Sequence, residues 1–170
     1  ARGIDIQDIS PRMIEEQIDA VFEDIAPDAV KIGMLSSPEC MKAVADKLRQ
    51  YRPANVVIDP VMFAKNGDPL MDPKSVGALI ETVLPFADVL TPNVPEAQYL
   101  AGMEIHTPAD METAARKIGA LGCKNVLVKG GKNIPGAVDV LFDGETCHRI
   151  EIEQIDSTST HGTGCTLSSA

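Results

Sequence analysis

The sequence predicts an α/β fold built on a mostly parallel sheet, and three observations support this. Short apolar segments alternate four times with segments whose apolar residues recur at helical spacing, the pattern of βα units. The second of these segments, 55–59, carries consecutive apolar residues, as a parallel strand covered on both faces does. After Gly131 the pattern changes to two strands around the turn Asp143-Gly144, which predicts a C-terminal antiparallel hairpin.

Most predicted helices begin at a Ser, Asp or Thr that is followed by proline. The first residue suits the N-cap, and proline suits the first helical position. In chain order, helices are predicted from Ser10-Pro11 to Ile25, from Ser37-Pro38 through Leu48, from Asp72-Pro73 to Leu84, from Pro95 to Gly102 and from Thr107-Pro108 to Leu121. The strands between and after them are predicted at 29–33, 55–59, 88–91, 125–129, 138–142 and 147–152. With no internal repeat and no linker in 170 residues, we expect a single domain over 1–170.

Composition excludes several classes of protein. The chain has 25 acidic and 15 basic residues and a net charge of −10, which argues against a nucleic-acid partner. No apolar run approaches the length of a bilayer span, so no membrane association is expected. Four cysteines without C-x-x-C spacing and three histidines without metal spacing exclude a structural zinc site. Widely spaced cysteines also favour reduced thiols and a cytoplasmic location.

The predicted topology brings four polar segments to one edge of the sheet. In parallel sheets the ligand lies beyond the carboxyl ends of the strands. The segments at those ends are 33–36, 59–62, 91–96 and 129–132. We therefore expect them to face one crevice.

The strongest local motif is 160–166, Thr-His-Gly-Thr-Gly-Cys-Thr. Two glycines separated by one residue before a helix start expose backbone N–H groups that can hold a phosphate. Cys165 would lie in the first helical turn, where the positive helix end lowers a thiol pKa and favours a proton acceptor. The alternative is a flexible turn with Cys165 as a small buried filler.

Asn93 and Glu96 have two interpretations. Their oxygens could hold Mg²⁺, or Asn93 could cap the helix while Glu96 interacts with its dipole. Asp59 is either near a metal or bonded to turn amides, and Lys129 either neutralises phosphate or is solvated. Together with the anion hole, these positions favour phosphoryl transfer from a nucleotide.

Five motifs in order identify a family that the chain resembles. They are Gly33-Met34-Leu35, Asp59-Pro60-Val61-Met62 with Ala64-Lys65 and Gly67-Asp68, Thr91-Pro92-Asn93 with Pro95-Glu96-Ala97, Val128-Lys129-Gly130-Gly131, and Thr160 to Thr166. The chain closely resembles the hydroxymethylpyrimidine/phosphomethylpyrimidine kinases of thiamine biosynthesis, within the ribokinase-like superfamily. Cys165 after Gly-Thr-Gly is the most discriminating position, since most of the superfamily has Asp there.

The resemblance implies a ribokinase-like fold and ATP-dependent phosphorylation of 4-amino-5-hydroxymethyl-2-methylpyrimidine and then of its monophosphate, with Mg²⁺. By resemblance, Cys165 is the catalytic base, and Gly162, Thr163 and Gly164 form the anion hole. The implied nucleotide and phosphate residues are Asn93, Glu96, Lys129, Gly131 and Thr160; the implied metal residues are Asp59 and Glu96; the implied pyrimidine contacts are Met34 and Val61. A homodimer is also implied.

The resemblance further implies a chain truncated at both ends, lacking an N-terminal substrate-binding segment and C-terminal helices. The isolated 170-residue chain is therefore expected to have weak or no activity. Two alternatives stay open. One is a pyridoxal or pyridoxine kinase of the cysteine-bearing type, and the other is a non-catalytic ligand-binding relative.

Overall fold

The computed structural model describes residues 9–64, 69–151 and 162–170, and it confirms the predicted α/β architecture. The helices are α1 Pro11–Asp24, α2 Pro38–Tyr51, α3 Pro73–Ala78, α4 Val94–Ala101, α5 Pro108–Gly119 and α6 Thr163–Ser169. The strands are β1 Val30–Ile32, β2 Val56–Ile58, β3 Val89–Leu90, β4 Asn125–Val128, β5 Val138–Phe142 and β6 Cys147–Glu151.

The strands of the described residues form one sheet in the order β1-β2-β3-β4-β5-β6. Neighbours among β1 to β4 pair in parallel, whereas β4–β5 and β5–β6 pair antiparallel. Parallel neighbours need crossover connections, and the helices α2 to α5 supply them. The mostly parallel sheet and the C-terminal hairpin are both as the sequence predicts.

A side-chain cap followed by proline fixes the start of four helices. Ser10, Ser37, Asp72 and Thr107 each accept a hydrogen bond from the backbone N–H three residues later, and each is followed by proline. A cap of this kind stabilises a helix by about 1 kcal/mol. The predicted N-termini of these helices are therefore confirmed.

The sequence predicts that the third helix runs as one regular helix to Leu84, but the regular helix ends at Ala78. After α3 the chain makes a π-helical turn, Leu79–Val83, and then a 3₁₀ turn, Leu84–Phe86. The Thr82 hydroxyl donates to the Ala78 carbonyl at 2.6 Å and competes with the regular helical bonds. Pro85 has no N–H to continue them. Other helix boundaries differ from the prediction by a few residues. For example, α4 begins at Val94 rather than Pro95, and α5 ends at Gly119 rather than Leu121.

The core lies on one face of the sheet. Paired residues Ile32, Ile58, Leu90, Val126 and Phe142 form a row across five strands, and all are buried. Met41 of α2, together with Met111 and Ile118 of α5, belongs to the same buried cluster. On the opposite face, Val57, Val89, Leu127 and Leu141 are only half-buried. Within the described ranges, no helix is both long and apolar enough to cross a bilayer.

Candidate functional site

The sheet edge predicted to carry the site is held together by backbone hydrogen bonds beyond the strand ends. The Asp59 amide donates to the Ile32 carbonyl and the Thr91 amide to the Ile58 carbonyl, each at 2.9 Å. The Lys129 amide donates to the Pro92 carbonyl at 2.9 Å. These bonds continue the ladders into the loops, so three of the four predicted segments, those after β2, β3 and β4, adjoin.

Lys129 and Asp59 form an ion pair at this edge. Lys129 Nζ lies 3.1 Å from Asp59 Oδ1, and the two side chains are only 14% and 5% exposed. The interpretation of Lys129 as a solvated lysine is therefore wrong. Asp59 also lies 3.4 Å from the hydroxyls of Thr91 and Ser168, which donate to its two oxygens. A buried pair contributes little net stability, yet it fixes the positions of two charges at the sheet edge.

Glu96 is the second buried carboxylate, and the predicted helix cap by Asn93 beside it is confirmed. Asn93 Oδ1 accepts from the Glu96 amide at 3.0 Å, and Glu96 Oε2 accepts from the Asn93 amide at 2.9 Å, a complete capping box. Glu96 Oε1 accepts from the Met62 amide at 3.3 Å. The same side chain thus ties α4 to the segment after β2.

The electrostatic surroundings of Glu96 link it to the ion pair. Burial raises the pKa of the Glu96 carboxyl, opposed by the hydrogen bonds from the Asn93 and Met62 amides. Lys129 lowers this pKa and Asp59 raises it further. The three charged groups therefore interact as one cluster, and a cation bound beside them would favour the ionised carboxylates.

Helix α6 brings the glycine motif to this cluster. A β-carbon built on Gly164 would lie 3.3 Å from Lys129 Nζ, so the first turn of α6 lies against the lysine. Gly162 precedes the helix with φ 83°, a conformation that favours glycine. Cys165 is exposed, unlike the buried Cys40 and Cys123, and its interpretation as a buried filler is therefore wrong. All four cysteines are free.

The Gly130-Gly131 turn involves a residue that sequence analysis did not single out. Gly131 has φ 53°, and the Gly130 amide donates to Asp139 Oδ1 at 2.8 Å. Asp139 lies in β5 and is 9% exposed. The signal in the sequence was one acidic residue within the otherwise apolar strand Val138–Phe142.

The remaining predicted residues are less closely tied to this cluster. Met34 follows β1 and is exposed, and the half-buried Val61 donates its amide to the Asp59 carbonyl oxygen at 2.8 Å. Their contact with a pyrimidine stays a prediction. Thr160, and the Lys65 to Asp68 part of the second motif, lie outside the described residues.

The arrangement fits Mg²⁺ better than a metal held by protein alone. Among the described residues, no group of three or more His, Cys, Asp or Glu side chains converges as a metal site. Magnesium is commonly bound by one or two carboxylates together with water and substrate phosphates. Asp59 and Glu96 supply two carboxylates of that kind, so the residues present fit the ion.

Nearly the whole chain is similar to one family of proteins. Residues 2–170 match the family model described as phosphomethylpyrimidine kinase. A thiamine biosynthesis bifunctional protein, ThiED, of Geobacter sulfurreducens is 48% identical over 99% of this chain and 35% of its own length. The hydroxymethylpyrimidine/phosphomethylpyrimidine kinase of Rhizobium meliloti is 45% identical over 99% of this chain and 64% of its own length. The chain thus spans about a third of the length of the first relative and just under two thirds of the length of the second.

Solved structures agree on the fold. The ADP complex of Bacillus subtilis pyridoxal kinase has a TM-score of 0.88 at 41% identity, covering 98% of this chain and 62% of that one. Phosphomethylpyrimidine kinase from Clostridium difficile has a TM-score of 0.85 at 41% identity, covering 98% and 68%. Pyridoxal kinase from Staphylococcus aureus with AMP-PCP has a TM-score of 0.89 at 32% identity, covering 98% and 61%.

Proposed function

Because this chain belongs to the phosphomethylpyrimidine kinase family, we propose that the protein transfers the γ-phosphate of ATP to 4-amino-5-hydroxymethyl-2-methylpyrimidine and then to its monophosphate, as in thiamine biosynthesis. The contact between the buried Lys129–Asp59 pair and the first turn of α6 carries this proposal. It gathers a cation, a carboxylate and an exposed thiol at one sheet edge. Phosphoryl transfer depends on charge neutralisation, positioning and a base for the acceptor hydroxyl.

In this mechanism Cys165 acts as the base. Its thiolate takes the proton of the substrate hydroxymethyl group while that oxygen forms a bond to the γ-phosphorus. The bond from the γ-phosphorus to the β–γ bridging oxygen breaks, and ADP leaves with the electron pair. The backbone N–H groups of Gly162, Thr163 and Gly164 stabilise the negative charge on the transferred group. The exposure of Cys165 supports its access to a substrate.

The other residues hold the nucleotide, the metal and the acceptor. Lys129, Gly131 and Thr160 bind nucleotide phosphates, and Asn93 orients Glu96 through the capping box. Asp59 and Glu96 would hold Mg²⁺, and the ion would neutralise phosphate charge there. Met34 and Val61 contact the pyrimidine.

The direct test is acceptor-dependent ADP release from ATP and Mg²⁺. Hydroxymethylpyrimidine, its monophosphate and pyridoxal are assayed in parallel, on this chain and on a version with its natural flanking sequence. We expect turnover of both pyrimidines by the flanked version. A folded, flanked protein that turns over none of the three acceptors would contradict the kinase assignment and leave a ligand-binding relative.

Pyridoxal phosphorylation is the second candidate function. It is supported by the similarity to solved pyridoxal kinases, with TM-scores of 0.88 and 0.89. The two functions are distinguished by kcat/KM for pyridoxal against that for hydroxymethylpyrimidine. Turnover of pyridoxal alone would change the assigned function to that of a pyridoxal kinase.

Three further properties complete the proposal. The isolated 170-residue chain turns over weakly or not at all, which the shares of 35% and 64% of its relatives support. The protein is a homodimer, as the family resemblance implies, and light scattering in solution tests this. It works in the cytoplasm, which the four free cysteines support.

A further inference from the structure

Asp139 is a buried carboxylate that the proposed mechanism does not use. It lies in β5 on the opposite face from its buried neighbours Val138 and Val140, and it is 9% exposed. Burying a carboxylate is costly unless hydrogen bonds compensate it. An apolar side chain would avoid that cost at this strand position. The contact that Asp139 makes must therefore account for its presence.

That contact is with the turn that follows Lys129. Asp139 Oδ1 accepts from the Gly130 amide at 2.8 Å, within the range of a strong hydrogen bond to a charged acceptor. The backbone approach is close, because a β-carbon on Gly130 would lie only 2.0 Å from the Val138 carbonyl oxygen. Next to it, Gly131 has φ 53°. The turn thus packs closely against β5 and is hydrogen-bonded to it through the Asp139 carboxylate.

The held turn is directly joined to the ion pair. Lys129 pairs with Asp59 through its side chain, and its amide is fixed to the Pro92 carbonyl. Gly130 is the next residue, so its hydrogen bond to Asp139 restricts the backbone conformation directly after Lys129. A change there shifts both the lysine and the Gly131 backbone.

We propose that Asp139 is a positioning residue for nucleotide binding, which keeps the Gly130-Gly131 turn in one conformation beside Lys129. The proposal rests on the proposed function, since it takes this turn to contact the phosphates of ATP. Asp139 itself does not touch the nucleotide. Asp139 affects the affinity for ATP, and the residues that carry out the phosphoryl transfer are not changed by it.

The same hairpin provides a matched control. Asp143, in the turn between β5 and β6, accepts from the amides of Glu145 and Thr146 at 2.9 and 2.8 Å. It is a carboxylate that also bonds backbone amides, but it is exposed and serves the hairpin turn. Asp143→Ala therefore removes bonds of the same kind, together with the contacts of Asp143 to the Thr146 hydroxyl and the His148 ring, without touching the turn after Lys129.

The experiment compares Asp139→Ala, Asp139→Val, Asp139→Asn and Asp143→Ala in the protein with its natural flanking sequence. Val suits a buried strand position, so it tests the loss of the acceptor even where Ala weakens the fold. Asn keeps an acceptor oxygen at the same place. The readouts are the hydrogen exchange of the Gly130 amide by NMR, the Kd for ATP, and kcat and KM for ATP.

For Asp139→Val and Asp139→Ala we expect about tenfold faster Gly130 exchange and about a tenfold rise in Kd and KM for ATP, the effect of one bond to a charged acceptor. We expect kcat to change by less than about threefold, because the transferring groups are untouched. Asp139→Asn and Asp143→Ala should keep the Kd for ATP close to that of the unsubstituted protein.

The contrary outcomes distinguish failure of the positioning role from failure of the proposed function. If the unsubstituted protein binds ATP and Asp139→Val binds it equally well, the positioning role is wrong and the proposed function stands. Equal weakening by Asp143→Ala would show a general loss of hairpin stability, which also overturns it. If the folded, unsubstituted protein binds no ATP, the proposed function fails and the inference fails with it.

Discussion

Cys165 carries the sharpest prediction at the scale of single residues. It lies in the first turn of α6 and is exposed. Because a positioned base contributes about 10² to 10⁴ in rate, we expect Cys165→Ala to lower kcat by at least about 100-fold. The Kd for ATP should stay unchanged, because the thiol acts on the acceptor hydroxyl and does not contact the nucleotide.

The control for this variant is Cys147→Ala. Cys147 is half-buried in β6, and its thiol contacts the Glu112 carbonyl oxygen. We expect its kcat to match that of the unsubstituted protein. Unchanged turnover in Cys165→Ala, with ATP still bound, would remove Cys165 from the mechanism.

The Lys129–Asp59 pair makes a second residue-scale prediction. Lys129→Met leaves the buried Asp59 carboxylate without its cation, which should cost about 3–5 kcal/mol in the free energy of unfolding. Adding Asp59→Asn removes the uncompensated charge, so the double variant should recover most of that stability but no activity. Urea denaturation and the ADP-release assay measure the two effects. A double variant as unstable as Lys129→Met would show that packing, rather than charge, sets the cost.

At the scale of elements, Asp88 joins three strands at the end of the sheet opposite the site. Its carboxylate accepts from the Val56 amide at 2.8 Å and pairs with Lys124, and its carbonyl accepts from the Asn125 side chain. The Lys124 side chain, and then the Val56 amide, lower the pKa of Asp88 from its ordinary 3.8. A lowered folded-state pKa means stability that is present above the ordinary value and is lost as the pH falls through the folded value.

Asp88→Asn should therefore lower the free energy of unfolding by about 1 kcal/mol near neutral pH. The difference from the unsubstituted protein should shrink as the pH falls below 3.8 and Asp88 itself becomes protonated. Urea denaturation across this range checks the prediction. A difference that is constant with pH would show that the charge of Asp88 contributes nothing.

Alanine substitutions at two glycines should change the stability in opposite directions, because one glycine is closely packed and the other is not. A β-carbon on Gly130 meets the Val138 carbonyl oxygen at 2.0 Å, so Gly130→Ala must move the backbone and should destabilise by at least about 1–3 kcal/mol. Gly77, inside α3, has open space where its β-carbon would lie. Gly77→Ala should stabilise by about 0.5–1 kcal/mol. Thermal unfolding of both variants tests this, and a shift of the same sign in both would contradict it.

At the scale of the whole molecule, much of the fold could be predicted because its signals are local or topological. Ser37 with Pro38 marks a helix start within a few residues, and the structure shows that cap. The assembly of Asp59 and Lys129 follows from parallel topology, since the ends of parallel strands meet at one edge. These inferences need no knowledge of distant contacts.

The features that were missed depend on contacts or local competitions that sequence patterns do not show. Asp139 reaches Gly130 only because β4 and β5 pair antiparallel in one particular register. The irregular turn after α3 arises from Thr82 bonding back to Ala78, a local competition that apolar spacing does not reveal. Glu96 has one spacing that suits both a cap and a metal ligand, so only the structure could establish its capping bonds.

The most direct measurement is the product formed from ATP, Mg²⁺ and hydroxymethylpyrimidine by the flanked protein, with Cys165→Ala beside it. We expect phosphorylated pyrimidine and an equal amount of ADP from the unsubstituted protein, and at least about 100-fold less of both from Cys165→Ala. Equal product from the two proteins would contradict a site centred on Cys165. ADP without any phosphorylated pyrimidine would contradict transfer to this acceptor.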